Sequence, residues 1–146
     1  MKLISGAALL VCFLVSGCAS KPGTHNSTIS SQEVTKRVLD HHWKTFQAND
    51  LEGTMADYTE ESILITPDKI YKGLSEIRGN FVNAFALFPK DATQMKLNTF
   101  VVQQDVAYII WEATAPTFKL TYGTDTFIIQ NGKIIRQTYA GVSASL

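Results

Sequence analysis

His42 is the side chain best suited to moving a proton near neutral pH, because imidazole titrates there without a large shift. It belongs to the run Val34, Val38, Leu39, His42, Trp43 and Phe46, whose spacing is helical. Two readings of that place stay open. His42 is an acid or base facing a cavity, or a core histidine with its hydrogen bonds satisfied. His41, next door, points about 100° away on a helix and reads as solvated. The second such residue is Asp125, which alternates with Phe127 and Ile129 and so shares a strand face with them. A carboxyl in that company is desolvated, and its pKa rises. The opposite choice turns Thr124 and Thr126 inward and leaves Asp125 to pair with Lys133 or Arg136. Aromatics supply the remaining material of a site. Trp43, Phe85, Phe88 and Trp111, with Tyr122, Phe127 and Tyr139, are candidates to line an apolar cavity. Tyr108, Ile110 and Glu112 alternate with Ile109 and Trp111, so only one set faces inward, and Trp111 is expected to be in it.

Other chemistries lack their residues. There is no Gly-rich phosphate loop and no Gly-x-Ser-x-Gly elbow. The three histidines form no ligand cluster, so neither a metal nor a cofactor is expected. The 13 basic and 13 acidic residues cancel, which leaves no basic face for nucleic acid.

The elements that must position these residues follow from pattern. Ser30-Ser31-Gln32-Glu33 is a capping box that opens a helix running to about Ala48. Asp50 caps a short second helix with Leu51, Met55 and Tyr58. Ser62 to Thr66 is a β-branched strand stopped by Pro67. A third helix carries Ile77, Phe81, Phe85 and Phe88 on one face and ends before Pro89. The period then changes to two. Met95 to Gln103, Val106 to Thr114, Thr117 to Gln130 and Lys133 to Val142 read as four strands, the last two joined by an Asn131-Gly132 hairpin turn. This order predicts an α+β fold, a curved antiparallel sheet with three helices on one face.

The N-terminal stretch differs in composition. Residues 1–17 hold one charge, Lys2, and an apolar run from Leu3 to Val15, which reads as a secretory signal too short for a comfortable span. Val15-Ser16-Gly17-Cys18 resembles the lipobox of bacterial lipoproteins. The resemblance implies cleavage before Cys18 and acylation of its thiol and amine. Several acyl chains together anchor a protein stably. The plainer reading is a signal cut nearby, with Cys18 left as a thiol. Ala19 after the cysteine implies, by the same resemblance, the periplasmic face of the outer membrane. Residues 18–30 then form a flexible tether, and residues 31–146 the folded domain.

Four segments in order carry a second resemblance. They are Ala48-Asn49-Asp50-Leu51-Glu52-Gly53, Tyr58-Thr59-Glu60-Glu61-Ser62-Ile63, Tyr71-Lys72-Gly73-Leu74-Ser75-Glu76-Ile77-Arg78, and Gly123-Thr124-Asp125-Thr126-Phe127 with Gly132-Lys133-Ile134. Together they resemble the NTF2-like superfamily, in particular its SnoaL-like and ketosteroid-isomerase-like members. The resemblance implies a cone whose curved sheet closes over a helix-lined cavity, and often a homodimer through the outer face of the sheet. In the isomerases a carboxylate base abstracts a proton and acidic donors hold the enolate. The position of that base matches Thr66, before Pro67, and a threonine cannot serve as the carboxylate. Asp68 lies two positions on, although Pro67-Asp68-Lys69 also reads as a plain turn. The phenol donor of the family matches His42, and its neutral carboxylic acid matches Asp125.

Three functions are therefore open. One is a membrane-anchored module binding a small apolar or amphipathic ligand. Another is a cofactor-free acid/base enzyme using His42 and Asp125. The third is a structural envelope protein that docks a partner through its sheet.

Overall fold

The computed structural model describes residues 30–146. The signal segment, Cys18 and the tether up to residue 29 lie outside the described residues. Helix α1 spans Ser31–Gln47, and Ser30 caps it by accepting the Glu33 N–H at 3.2 Å. Thr35, Val38, Leu39, His42, Thr45 and Phe46 form its buried stripe. Helix α2 is Leu51–Met55, capped by Asp50, whose Oδ1 accepts the Gly53 N–H at 2.9 Å. Helix α3 is Gly73–Leu87 and stops just before Phe88-Pro89, where the ring of proline forbids another turn. A single 3₁₀ turn, Lys90–Ala92, leads into the sheet.

Six strands build that sheet: β1 (Ile63–Ile65), β2 (Ile70–Lys72), β3 (Gln94–Gln103), β4 (Val106–Thr114), β5 (Phe118–Gln130) and β6 (Lys133–Ser145). Their order is β2-β1-β6-β5-β4-β3. The α+β class, the curved sheet and the helices in the N-terminal half are as the sequence predicts. Two features differ from the expectation. β2 forms a hairpin with β1, so the sheet has six strands rather than five. β1 pairs with β6 in parallel, so the sheet is not wholly antiparallel. Three-residue strands such as β1 and β2 are too short to show alternation, which is why β2 escapes pattern reading.

Bulges bend the sheet and reset which residues face inward. On β5, Leu120 pairs with Ala113 and Gly123 with Trp111, so Thr121 and Tyr122 together oppose Glu112 alone. The inward set therefore passes from Leu120 to Gly123, Asp125, Phe127 and Ile129. On β6, Ile134 pairs with Ile129 while Arg136 pairs with Ile128, so Ile135 is the extra residue. That shift turns Gln137 inward. Gly123 and Gly141 face each other across β5 and β6. A methyl group at Gly123 would stand 2.9 Å from Cε2 of Trp111, and one at Gly141 would strike the Tyr139 hydroxyl. The two glycines thus make room for aromatic rings laid on the concave face.

Candidate ligand cavity

The concave face of the sheet does not close completely on α1 and α3. A cavity of about 640 Å³ remains between them. His42, Trp43 and Phe46 reach it from α1, Phe81 and Ala84 from α3, and Trp111, Asp125, Phe127, Gln137 and Tyr139 from the sheet. Pro67, Asp68, Asn83, Leu87 and Ser143, among its solvent-exposed members, mark the mouth. Around the floor the rings meet edge to face. His42 stands 5.4 Å from Phe127 and 5.7 Å from Phe81, and Trp43 stands 5.7 Å from Trp111.

A run of buried hydrogen bonds crosses the floor. Nδ1 of His42 faces Oδ2 of Asp57 at 3.3 Å, and its Nε2 faces the Tyr58 hydroxyl at 3.4 Å. The Tyr58 hydroxyl donates a short bond to Oε1 of Gln137. Nε2 of Gln137 then donates to Oδ1 of Asp125 at 2.8 Å, and Nε1 of Trp111 donates to Oδ2 of the same carboxyl at 2.9 Å. Asp125 and His42 are each only 4% exposed. Asp57 also meets Nδ1 of His41 through Oδ1 at 2.8 Å, so adjacent histidines straddle one carboxylate. His41 is exposed, as the sequence predicts. Its side chain is 49% exposed, yet it holds Asp57. The start of β6 fixes Asp57 in turn, because the Ile134 N–H donates to the Asp57 carbonyl at 2.8 Å.

Electrostatics follow from this burial. Desolvation pushes the Asp125 carboxyl above the usual carboxylate range, opposed by the bonds from Gln137 and Trp111 and by the charge of His42. Burial first, then the charges of Asp125 and Asp57, raise the Tyr58 phenol well above its ordinary value. Tyr139, paired across the strands with Asp125, is pushed up to about 12 by burial and by that carboxylate. Both phenols are neutral donors at ordinary pH.

The sequence-predicted residues divide accordingly. His42, Asp125, Trp43, Phe88, Trp111, Phe127, Tyr139 and Thr66 all line the one cavity. Asp125 points inward, with Thr124 and Thr126 on the outer side, so it does not pair with Lys133 or Arg136. Tyr122 is a correction. The bulge at Thr121 turns it outward, where it is 41% exposed and its hydroxyl meets that of Tyr108 at 3.4 Å. Phe85 is a second correction, since its ring packs beside the wall against Phe46 and Phe81 at 5.6 and 6.1 Å. Thr66 holds the β1–β2 turn. Its hydroxyl donates to the Lys69 carbonyl at 3.1 Å and accepts the Lys69 N–H at 3.2 Å. Asp57, Tyr58 and Gln137 are the members that sequence reasoning missed as site residues. A carboxylate and a phenol directly after the apolar end of α2 were the one signal available. Among the described residues no group of three His, Cys, Asp or Glu side chains is placed to hold a metal ion.

No family model matches the chain, and no curated protein matches it in sequence. Solved structures do resemble it. A protein provisionally named as a ketosteroid isomerase from Kribbella flavida superposes with a TM-score of 0.67 at 16% identity, covering 79% of this chain and 82% of that one. An NTF2-like protein of unknown function from Mesorhizobium loti gives 0.66 at 20% identity, over 77% of this chain and 94% of its own. A protein provisionally named as a polyketide cyclase from Sinorhizobium meliloti gives 0.60 at 17% identity, over 70% and 93%. At these identities the likeness establishes an NTF2-like fold.

Proposed function

We propose that this chain is a lipid-anchored envelope protein that binds one small apolar or amphipathic molecule in the cavity of its NTF2-like cone. One observation carries the reading: the cavity is open, while the polar groups on its floor are engaged by protein partners. Both ring nitrogens of His42, both carboxyl oxygens of Asp125 and the Thr66 hydroxyl have partners within the chain. To act as a base, His42 would have to exchange one of these partners for substrate, and Asp125 would have to offer a second lone pair of an oxygen already accepting a bond. A volume of about 640 Å³ suits a single organic ligand. The neighbours named for a steroid isomerase and a polyketide cyclase support a ligand of that size.

The test uses N-phenylnaphthylamine, a neutral probe that fluoresces in apolar surroundings. One molecule is expected to bind per chain and to raise the melting temperature by mass action. Ala84 lines the cavity, so Ala84→Trp is expected to abolish binding while the fold persists. Absence of binding, or equal binding by the variant, overturns the reading.

Anchoring rests on the apolar run Leu3 to Val15 and on Val15-Ser16-Gly17-Cys18. Mass spectrometry of the N-terminal peptide is expected to find acyl mass on Cys18, with Ala19 directing the protein to the outer membrane. Cys18→Ala is expected to release it from the membrane fraction. A second copy of the chain on the outer face of the sheet, where Val101, Tyr122 and Val142 are exposed, completes the proposal. Sedimentation velocity tests it.

A cofactor-free acid/base enzyme is the second reading. His42 and Asp125 line one cavity, and Asp57 orients the imidazole as a catalytic carboxylate would. It requires that a substrate displace Tyr58 from Nε2 of His42. Exchange of the α-protons of a cyclic enone in deuterated buffer, followed by NMR and dependent on His42, would favour it over binding alone.

A further inference from the structure

The charge of the cavity wall is one-sided. Among the described residues that line it, Asp125 at the floor and Asp68 at the mouth are the carboxylates, and none is a lysine or arginine. The described residues carry 11 of the chain's 13 basic side chains, so their absence from the wall is a matter of placement. The imidazole of His42 is backed by a further carboxylate, that of Asp57. Lys69, next to Asp68 in the β1–β2 turn, has its ammonium over the Tyr71 ring, 4.8 Å from the ring centre. Tyr71 is itself a wall residue, so one rim aromatic already holds an ammonium on its face.

The aromatic groups stand where a cation would use them. Tyr139 pairs directly with Asp125 across β5 and β6. Trp111 donates its indole N–H to that carboxyl, which leaves the ring beside it, and the Trp111 and Tyr139 rings lie 6.3 Å apart. A quaternary or tertiary ammonium has no strong need for hydrogen-bond acceptors. It needs negative charge and π faces out of water, and burial strengthens both interactions. An anion would meet the carboxylates of Asp125 and Asp68 with no lysine or arginine among the described lining residues. A neutral ligand would gain nothing from the carboxylates.

We infer that the ligand class of this cavity is an organic cation with an apolar body, its alkylated ammonium seated beside Asp125 against Trp111 and Tyr139. The inference rests on the cavity-binding reading above and adds the sign of the ligand. The apolar body would lie toward Phe46, Phe88 and Leu87, which line the cavity further along.

Both tryptophans of the chain line the cavity, so intrinsic fluorescence reports occupancy without a label. The full chain is titrated with three phenylalkyl probes of similar length, the first two of one shape. They are phenylbutyl-trimethylammonium, the hydrocarbon in which carbon replaces that nitrogen, and phenylhexanoate. The cation is expected to bind about tenfold or more tighter than the hydrocarbon, with the anion weakest. Asp125→Asn is expected to shrink the ratio of cation to hydrocarbon affinity about tenfold. The ratio of cation to hydrocarbon in the unaltered chain stands without the variant, should the variant fail to fold. Equal or tighter binding of hydrocarbon or anion overturns the inference. If N-phenylnaphthylamine still binds in that case, the cavity reading survives. If none of the three probes binds and N-phenylnaphthylamine also fails, both fall together.

Discussion

At the scale of single residues, the floor of the cavity is a closed hydrogen-bond account in which removing one atom orphans others. Tyr58→Phe deletes the hydroxyl between Nε2 of His42 and Oε1 of Gln137. Leaving such buried groups unpaired is expected to cost about 1–3 kcal/mol, read as a lowered urea midpoint with an unchanged slope. Asp125 makes a pH prediction of definite sign. Its pKa is raised in the folded state, so the folded chain holds that proton more tightly than the unfolded one. The stability it contributes is fully present below the ordinary carboxylate value and is lost as pH rises through the raised one. The melting temperature of Asp125→Asn relative to the unaltered chain is therefore expected to climb across that window and level off above it. A difference that falls with rising pH would refute the assignment. His42 and Asp125 were legible because their types stand out against apolar periodicity. Gln137 was not, because plain alternation from Ile134 turns it outward, and only the extra residue Ile135 brings it back. Bulges are set by pairing between distant strands, which no local window contains.

At the scale of elements, glycines do the placing. Gly73 joins β2 to α3 without a connecting loop, at a φ of 71°, and its N–H donates to the Ser62 carbonyl at 2.9 Å. A methyl group there would lie 3.2 Å from the Glu60 carbonyl oxygen, whereas at Gly132, of similar φ, it would meet nothing within 4 Å. Gly132→Ala is expected to cost about 1–2 kcal/mol for its backbone alone, and Gly73→Ala more. Urea unfolding of the pair isolates the contact with Glu60. Gly123→Ala acts on the site instead. It pushes Trp111 off the strand, so the bond from Nε1 to Asp125 breaks and the tryptophan emission shifts. Helices α1 and α3 and the four long strands were readable because each runs for two or more periods of its pattern, whereas the five-residue α2 was readable from its cap. The caps Ser30 and Asp50 mark their helix starts as expected. The β1–β2 hairpin was not readable as such, since Pro67-Asp68-Lys69 announces a turn but three residues on either side show no period.

At the scale of the whole molecule, the sheet order matters more than the strand count. β6 lies between β1 and β5, so the last strand in the chain is interior and joins the β1–β2 hairpin to the meander of β3, β4 and β5. It also supplies Gln137 and Tyr139 to the cavity. A chain ending at Gln130 is expected to lose cooperative thermal unfolding altogether, as followed by circular dichroism, rather than to lose a frayed edge. The same placement governs when the fold becomes available during synthesis. The ribosome has made everything up to residue 132 before the joining strand exists. Until then Phe127 and its apolar companions have no complete lid, and the nascent polypeptide stays uncommitted. Whatever meets the nascent polypeptide before β6 emerges meets a slack thread in which the hollow for the ligand has yet to form.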